Sequence, residues 1–131
     1  MSVGLLIISH NDIGQQLLAT ATAMLETCPL KTDHFAIHND CDLEQARTKA
    51  LNKITNLDSG DGVIILTDMF GSTPSNVANH LSKTCNVRVI SGVNLPMLIR
   101  VLNYPRLNLD QLSEKARSGG QDGIMICKPL C

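Results

Sequence analysis

The sequence predicts an α/β fold: a doubly wound, mainly parallel sheet with helices on both faces. Runs of Val, Leu and Ile without polar alternation are typical of strands that are buried on both faces. Stretches with helical spacing of apolar residues separate these runs, and a regular alternation of strand and helix indicates a doubly wound sheet. We expect the 131 residues to form one domain, residues 1–131, which is long enough to bury a core.

The first strand is predicted at Val3–His10, and the helix after it ends before Pro29. A second strand follows at Thr32–Ile37. Asp40 and Asp42 are candidate caps for the next helix, because a carboxylate accepts hydrogen bonds from the free N–H groups of a first turn. The predicted apolar faces of these two helices are Ile13, Leu17, Leu18, Ala21, Met24 and Leu25, then Leu43, Ala46, Ala50, Leu51 and Ile54.

The turn Ser59–Gly62 precedes a third strand at Val63–Leu66. Thr73 and Pro74 are expected to open the third helix, with a hydroxyl cap and a proline in the first turn. The apolar face of that helix is predicted to be Val77, Ala78 and Leu81. A fourth strand is predicted at Val87–Ile90.

The last part of the chain predicts two helices and a short strand. The helices are Leu95–Leu102 and a segment through Leu109, Leu112 and Ala116 that ends at Ser118–Gly120. Ile124–Cys127 is expected to be a strand, antiparallel to the others. Four residues are too few for a strand to be stable unless it completes a sheet. This strand therefore pairs within the chain or across a dimer, and we expect exchange in a homodimer.

Composition argues against several classes of protein. The net charge is −1 and no basic run occurs, which disfavours nucleic-acid binding. No apolar stretch approaches the ~20 residues that span a bilayer, so we expect no direct membrane insertion. The chain enters its first strand without the basic start of a signal peptide, which predicts a cytoplasmic location. Five cysteines without a CxxC pair are expected to be reduced thiols, mostly packed in the core: Cys28, Cys41, Cys85, Cys127 and Cys131.

Two predicted strands end in residues that carry chemistry. The first ends at Ser9-His10 and the third is followed by Thr67-Asp68. Open α/β sheets place their ligands at the carboxyl edge, where we expect the side chains of His10 and Asp68 to meet. A carboxylate that holds one ring nitrogen of a histidine fixes the tautomer and leaves the other nitrogen as a nucleophile. His10 and Asp68 are therefore the candidate catalytic residues.

The loop after Asp68 has the composition of a phosphate site. Gly71 allows close approach of the backbone, and Ser72 and Thr73 supply hydroxyl groups. The helix that follows presents free N–H groups, which favour an anion. We therefore expect these three residues to bind phosphate.

The same loop is predicted to dock a partner protein. The chain has one Tyr, two Phe and no Trp, yet Met69 and Phe70 place apolar bulk in a loop. Together with Pro74 they form the predicted docking surface.

His38 follows the second strand as His10 follows the first. With His10 and Asp68 it would form a two-histidine, one-carboxylate metal site, the basis of a small metal-dependent hydrolase. That hydrolase is the lesser alternative, and we expect neither a metal nor another cofactor. His34 and His80 are expected at the surface or at the edge of the core.

Three segments make the chain resemble a known family: GLLIISHNDIGQQLL, SGDGVIILTDMFGSTPSNVA and VRVISGVNLPMLIRVL. Over essentially its whole length the chain resembles the IIA component of the mannose-family sugar phosphotransferase system of bacteria. The resemblance implies that His10 accepts a phosphoryl group on Nε2 from the small carrier HPr and passes it to a IIB component. It also implies that Asp68 holds the other ring nitrogen, and that the last strand crosses to the partner in a homodimer.

The chain departs from the family's usual loop, Gly-Gly-Ser-Pro-Phe-Asn, because residues 71–76 read GSTPSN. Thr73 keeps a hydroxyl in the place of the family's serine, whereas Ser75 replaces its aromatic residue.

The predicted function is a phosphocarrier in sugar uptake or regulation, a phosphotransferase component with a phosphohistidine intermediate. The sequence has no P-loop and no glycine-rich nucleotide fingerprint, which predicts a protein donor rather than ATP. The alternative is a regulatory phosphoprotein that signals nutrient status without passing phosphate to a sugar.

Overall fold

The computed structural model describes residues 2–129 and shows a four-stranded sheet flanked by helices. The strands are all parallel, in the order β2-β1-β3-β4, which confirms the predicted doubly wound α/β architecture. The elements are β1 (Gly4–His10), α1 (Ile13–Leu25), β2 (Thr32–Ile37), α2 (Leu43–Leu57), β3 (Val63–Thr67), α3 (Thr73–Leu81), β4 (Val87–Ser91), α4 (Leu95–Leu102) and α5 (Leu109–Asp122). None of the helices in residues 2–129 combines the length and apolar composition needed to cross a bilayer.

The sheet separates two apolar layers. Leu5 and Ile7 of β1 face the layer formed by α1, α4 and α5, whereas Leu6 and Ile8 face the layer formed by α2 and α3. All four side chains are fully buried. Because successive residues of a strand point to opposite faces, a central strand between two helical layers must be apolar at every position. This explains the unbroken apolar run that marks β1 in the sequence.

The caps of two helices differ in how well the sequence predicts them. Asp42 caps α2, since its carboxylate accepts from the amides of Glu44 and Gln45 at 2.9 and 3.3 Å. The cap predicted for α3 is wrong: Ser72, not Thr73, is the N-cap residue, because Ser72 has extended backbone and Thr73 is already helical. The Ser72 hydroxyl caps no amide of α3 and instead donates to the carbonyl oxygen of Met69.

The predicted end of α5 at Ser118–Gly120 is also wrong. The helix continues to Asp122, and Gly119 and Gly120 are buried against α4. A Cβ atom added at Gly119 would lie 2.7 Å from Cβ of Arg100, closer than any side chain tolerates. These glycines therefore allow two helices to approach closely and do not end the helix.

Several apolar residues assigned to helix faces lie at the margins of those faces. The exposed ones are Ile13, Met24, Leu43 and Leu51.

The cysteines also differ from expectation, since Cys28, Cys41 and Cys127 are exposed and Cys85 is only half-buried. All four are free thiols, as predicted, but they do not fill the core; Cys131 lies outside the described residues.

The segment Ile124–Cys127 forms no strand within the single chain. Three of its side chains are almost fully accessible, at 77% for Ile124, 76% for Met125 and 98% for Ile126. Pairing within the chain is therefore not observed. β4 pairs with β3 on one side and is an edge strand of the sheet. An unpaired strand edge and exposed apolar side chains are both features that a second chain could cover. Exchange of this segment across a dimer stays a prediction.

We predict that this segment holds a homodimer together. Light scattering at micromolar concentration is expected to give a dimer for the full chain and a monomer or aggregate for a chain shortened after Gly123. Ile126→Ser should weaken the dimer, whereas Met24→Ser, which changes an exposed residue of α1, should not. A full-length chain that is monomeric under these conditions would contradict the prediction.

Candidate active site

The structure brings His10 and Asp68 together at the carboxyl edge of the sheet. His10 is the last residue of β1, and Asp68 directly follows β3, the strand paired with β1. Oδ2 of Asp68 accepts two hydrogen bonds from His10, one from the main-chain amide at 2.9 Å and one from ring Nδ1 at 2.8 Å. One carboxylate oxygen thus fixes both the backbone and the ring of the histidine.

This contact determines the tautomer of His10. An ionised carboxylate only accepts hydrogen bonds, so Nδ1 carries the proton and Nε2 keeps its lone pair in the neutral ring. The side chain of His10 is 35% exposed and that of Asp68 only 12%. The carboxylate is thus mostly buried, whereas the ring that it holds is accessible to solvent.

The carboxyl group of Asp68 stays ionised despite its burial. Burial raises its pKa, but the hydrogen bonds from the amide and ring of His10, with the attraction of that ring, hold the pKa below its usual value. Its second oxygen, Oδ1, is buried and has no hydrogen-bond partner among the described residues. The orientation of the carboxylate therefore depends on His10.

Three residues near His10 position the main chain at the end of β1, and no role was predicted for them from the sequence. Ser9 is buried, and its hydroxyl oxygen accepts from the amide of Gly14 at 2.9 Å, which ties the start of α1 to the end of β1. A Cβ atom at Gly14 would lie 2.7 Å from Cγ2 of Ile7, so only glycine allows this approach. Asn11 has a φ of 49° and donates its amide to the carbonyl of Ile37 at 3.1 Å.

The residues that the sequence predicts to bind phosphate lie at the N-terminus of α3. Gly71 is exposed with a φ of +83°, a conformation that favours glycine. Thr73 is exposed and lines the same cleft as His10. The side chain of the N-cap residue Ser72 makes no hydrogen bond to the N-terminal amides of α3. The loop therefore keeps the features of an anion site.

The predicted docking surface is smaller than expected. Met69 and Phe70 are 59% and 80% exposed, beside the site. Pro74, in contrast, is buried in the first turn of α3 and offers no surface to a partner. Ser75, which replaces the family's aromatic residue, is fully buried, and its hydroxyl oxygen accepts from the side chain of Asn79. The exposed apolar surface of the loop therefore precedes Gly71.

The other histidines lie in three different settings. His80 is exposed on α3 and His34 is half-buried on β2. His38 lines a cleft of about 280 Å³ together with His10 and Thr73. Its Nδ1 lies 3.0 Å from Oδ1 of Asn11, not against Asp68. Within residues 2–129, no three His, Cys, Asp or Glu side chains are arranged to hold a metal ion.

The family model described as "PTS system fructose IIA component" matches residues 4–116. The chain belongs to this family, EIIA-man. It is therefore a IIA component of the mannose/fructose type in the phosphotransferase system (PTS), and the resemblance drawn from the sequence is confirmed.

Curated relatives agree with this family. The chain is 28% identical over 134 residues to the PTS system mannose-specific EIIAB component of Escherichia coli K12, covering 98% of this chain and 40% of that protein. It is 33% identical over 67 residues to the PTS system fructose-specific EIIA component of Bacillus subtilis, covering 50% of this chain and 46% of that protein. The chain thus spans about two fifths of the length of the mannose-specific relatives.

Solved structures share the fold. The mannose/sorbose-specific IIA subunit from Enterococcus faecalis matches with a TM-score of 0.87 at 24% identity, over 98% of this chain and 97% of that one. The PTS IIA protein associated with the fucose utilization operon of Streptococcus pneumoniae matches with a TM-score of 0.73 at 25% identity, over 90% and 93% of the two chains.

The lowered pKa of Asp68 predicts a pH-dependent contribution to stability. The pKa of Asp68 is lower in the folded protein than in the unfolded chain, where it is near 3.9, so the ionised carboxylate stabilises the fold above that pH. The stabilisation is lost as the pH falls through the folded-state pKa. We expect Asp68→Asn to lower the free energy of unfolding by about 1–2 kcal/mol at pH 7. The difference from the parent protein should shrink below about pH 4.

Urea unfolding at pH 7, 5 and 3 measures this difference. Asp40→Asn, at an exposed carboxylate, is the matched control and should change stability little at any of these pH values. An equal loss for Asp68→Asn at all three pH values would show that the substitution acts through packing and not through the charge.

Proposed function

We propose that this PTS IIA component carries a phosphoryl group on Nε2 of His10, between phospho-HPr and a IIB component. The observation that supports this most is the hydrogen bond between Nδ1 and Asp68 at 2.8 Å, because it leaves Nε2 as the free nucleophile. HPr and IIB enter the proposal through the family to which the chain belongs.

The proposed transfer is a direct displacement at phosphorus. The lone pair of Nε2 forms the new N–P bond while the bond between phosphorus and the donor atom of phospho-HPr breaks, and its electron pair returns to the donor. The ring becomes positively charged as the bond forms, and the ionised Asp68 stabilises that charge through Nδ1–H. Transfer to IIB reverses these events. Such a reaction depends on in-line placement and on charge stabilisation, which a rigid strand end provides.

Residues at the start of α3 are proposed to receive the phosphoryl oxygens. Thr73 lines the cleft beside His10, and Gly71 and Ser72 connect β3 to the helix. Uncapped amides and the positive end of the helix dipole favour the negative charge of the phosphoryl group. We propose that the exposed side chains of Met69 and Phe70 contact the partner proteins, since both lie next to this site.

We predict one acid-labile phosphate per chain on His10 after incubation with phosphoenolpyruvate, enzyme I and HPr. His10→Gln should remove the label because glutamine has no nucleophilic ring nitrogen, and His80→Gln, at an exposed histidine of α3, should keep it. Mass spectrometry locates the label, and circular dichroism checks that each variant is folded. A label that persists in His10→Gln, or that maps to His38, contradicts the proposal.

Asp68→Asn should slow the transfer but keep His10 as the site. Asparagine removes the negative charge and presents an N–H₂ group that favours the wrong tautomer. The loss of one oriented, charge-assisted hydrogen bond, about 1.5–3 kcal/mol, corresponds to a rate roughly ten- to a hundredfold lower. Rapid-quench transfer from phospho-HPr measures the rate, and Glu26→Gln, at an exposed carboxylate that follows α1, is the control. An unchanged rate would mean that Asp68 has no part in the transfer.

A further inference from the structure

We infer that His38 is a second phosphoryl-binding residue, whose protonated ring faces the phosphoryl group on His10. The inference rests on the proposed function and deepens it. It starts from the register of the sheet, in which His10 of β1 pairs with Ile37 of β2. His38 therefore follows its strand end directly beside His10, and both histidines line the same cleft, of about 280 Å³.

Asn11 orients the ring of His38. An amide oxygen only accepts hydrogen bonds, so Nδ1–H of His38 donates to Oδ1 of Asn11, 3.0 Å away. The backbone of Asn11 is itself fixed, since its main-chain N–H donates to the carbonyl oxygen of Ile37 at 3.1 Å. This leaves Nε2 of His38 available, and a protonated ring gains a donor there without losing the bond to Asn11. His38 is thus oriented by Asn11 much as His10 is oriented by Asp68.

The cleft needs a positive charge that its other residues do not supply. Besides the two histidines, the described residues that line it are Ile37, Asn39, Cys41, Leu43 and Thr73, which include neither Lys nor Arg. A phosphoryl group brings negative charge on three oxygens. A protonated histidine carries a positive charge and donates from both ring nitrogens, so His38 can supply the charge that a phosphoryl group attracts.

The groups that face His38 come from several elements. Asp40, Cys41 and Asp42 lie on its own loop and Lys49 on α2, and these four line a neighbouring depression with His38. Asp42 is occupied as the cap of α2. From the side of β1 and α3, His38 shares its cleft with His10 and Thr73. In this setting the phosphoryl group is the negative charge that arrives and leaves during the proposed transfer cycle.

The experiment loads His10 with phosphoramidate, which makes it independent of HPr. The N–P bond of phosphoramidate breaks, ammonia leaves with the electron pair of that bond, and phosphorus bonds to Nε2 of His10. NMR titration then follows the ring protons of His38 in the free and phosphorylated full-length protein. We expect phosphorylation to raise the proton affinity of His38 roughly three- to tenfold, as a nearby negative charge does. The exposed His80 is the internal control and should not respond.

Variants of His38 test the same inference by kinetics. Transfer to His10 should be roughly three- to tenfold slower in His38→Gln at pH 6, and the difference should disappear by pH 8. His38→Lys keeps a positive charge and should retain the fast rate at both pH values. His80→Gln should behave like the parent protein.

The outcomes separate the two proposals. If phosphoramidate labels His10 but phospho-HPr does not, HPr is not the donor and the proposed function is wrong on that point. The His38 titration then still tests this inference. An unresponsive His38 titration, or equal rates in His38→Gln and the parent protein, would overturn the inference and leave the phosphocarrier role intact. No labelling of His10 by either donor would overturn both.

Discussion

The double hydrogen bond from His10 to Oδ2 of Asp68 is the contact on which the site depends. It joins the ends of two neighbouring strands, and it fixes the main chain and the imidazole of one residue with a single oxygen. Oδ1 is buried without a hydrogen-bond partner among the described residues, so the hydrogen bonds from His10 are the contacts that orient the carboxylate. A desolvated carboxylate in this setting acts strongly on the one ring it touches.

The apolar layers of the fold provide the rigidity that this contact requires. β3 is buried at every position and β1 at every position except His10, so both strands are held by packing on both faces of the sheet. Burial ends at His10 on one strand and at Asp68 after the next, and the two candidate catalytic side chains lie there. Ser9 still belongs to the interior, since its hydroxyl anchors the first turn of α1. The transition from core to site therefore takes place within one residue.

The loop before α3 combines order and access. The hydroxyl and the main-chain amide of Ser72 donate to the carbonyl oxygen of Met69, while the side chains of Met69 and Phe70 are exposed to solvent. A serine in place of the family's aromatic residue is accommodated because position 75 is buried in the first turn of the helix and its hydroxyl is hydrogen-bonded. The exposed apolar side chains of this loop, Met69 and Phe70, lie before Gly71.

By itself the sequence determined the order of strands and helices, the family and the candidate pair His10 and Asp68. Unbroken apolar runs and helical periodicity are local signals, and a parallel sheet brings its strand ends to one edge whatever the details. Only the tertiary structure decided which residues support that edge. The cap at Ser72, the helical course of Gly119 and Gly120, the burial of Pro74 and the contact between Asn11 and His38 all depend on neighbours distant in sequence or on backbone angles. The identity of a residue does not show how closely another helix or strand packs against it. Gly119 and Gly120 were therefore predicted to end α5, whereas they lie within the helix and contact α4.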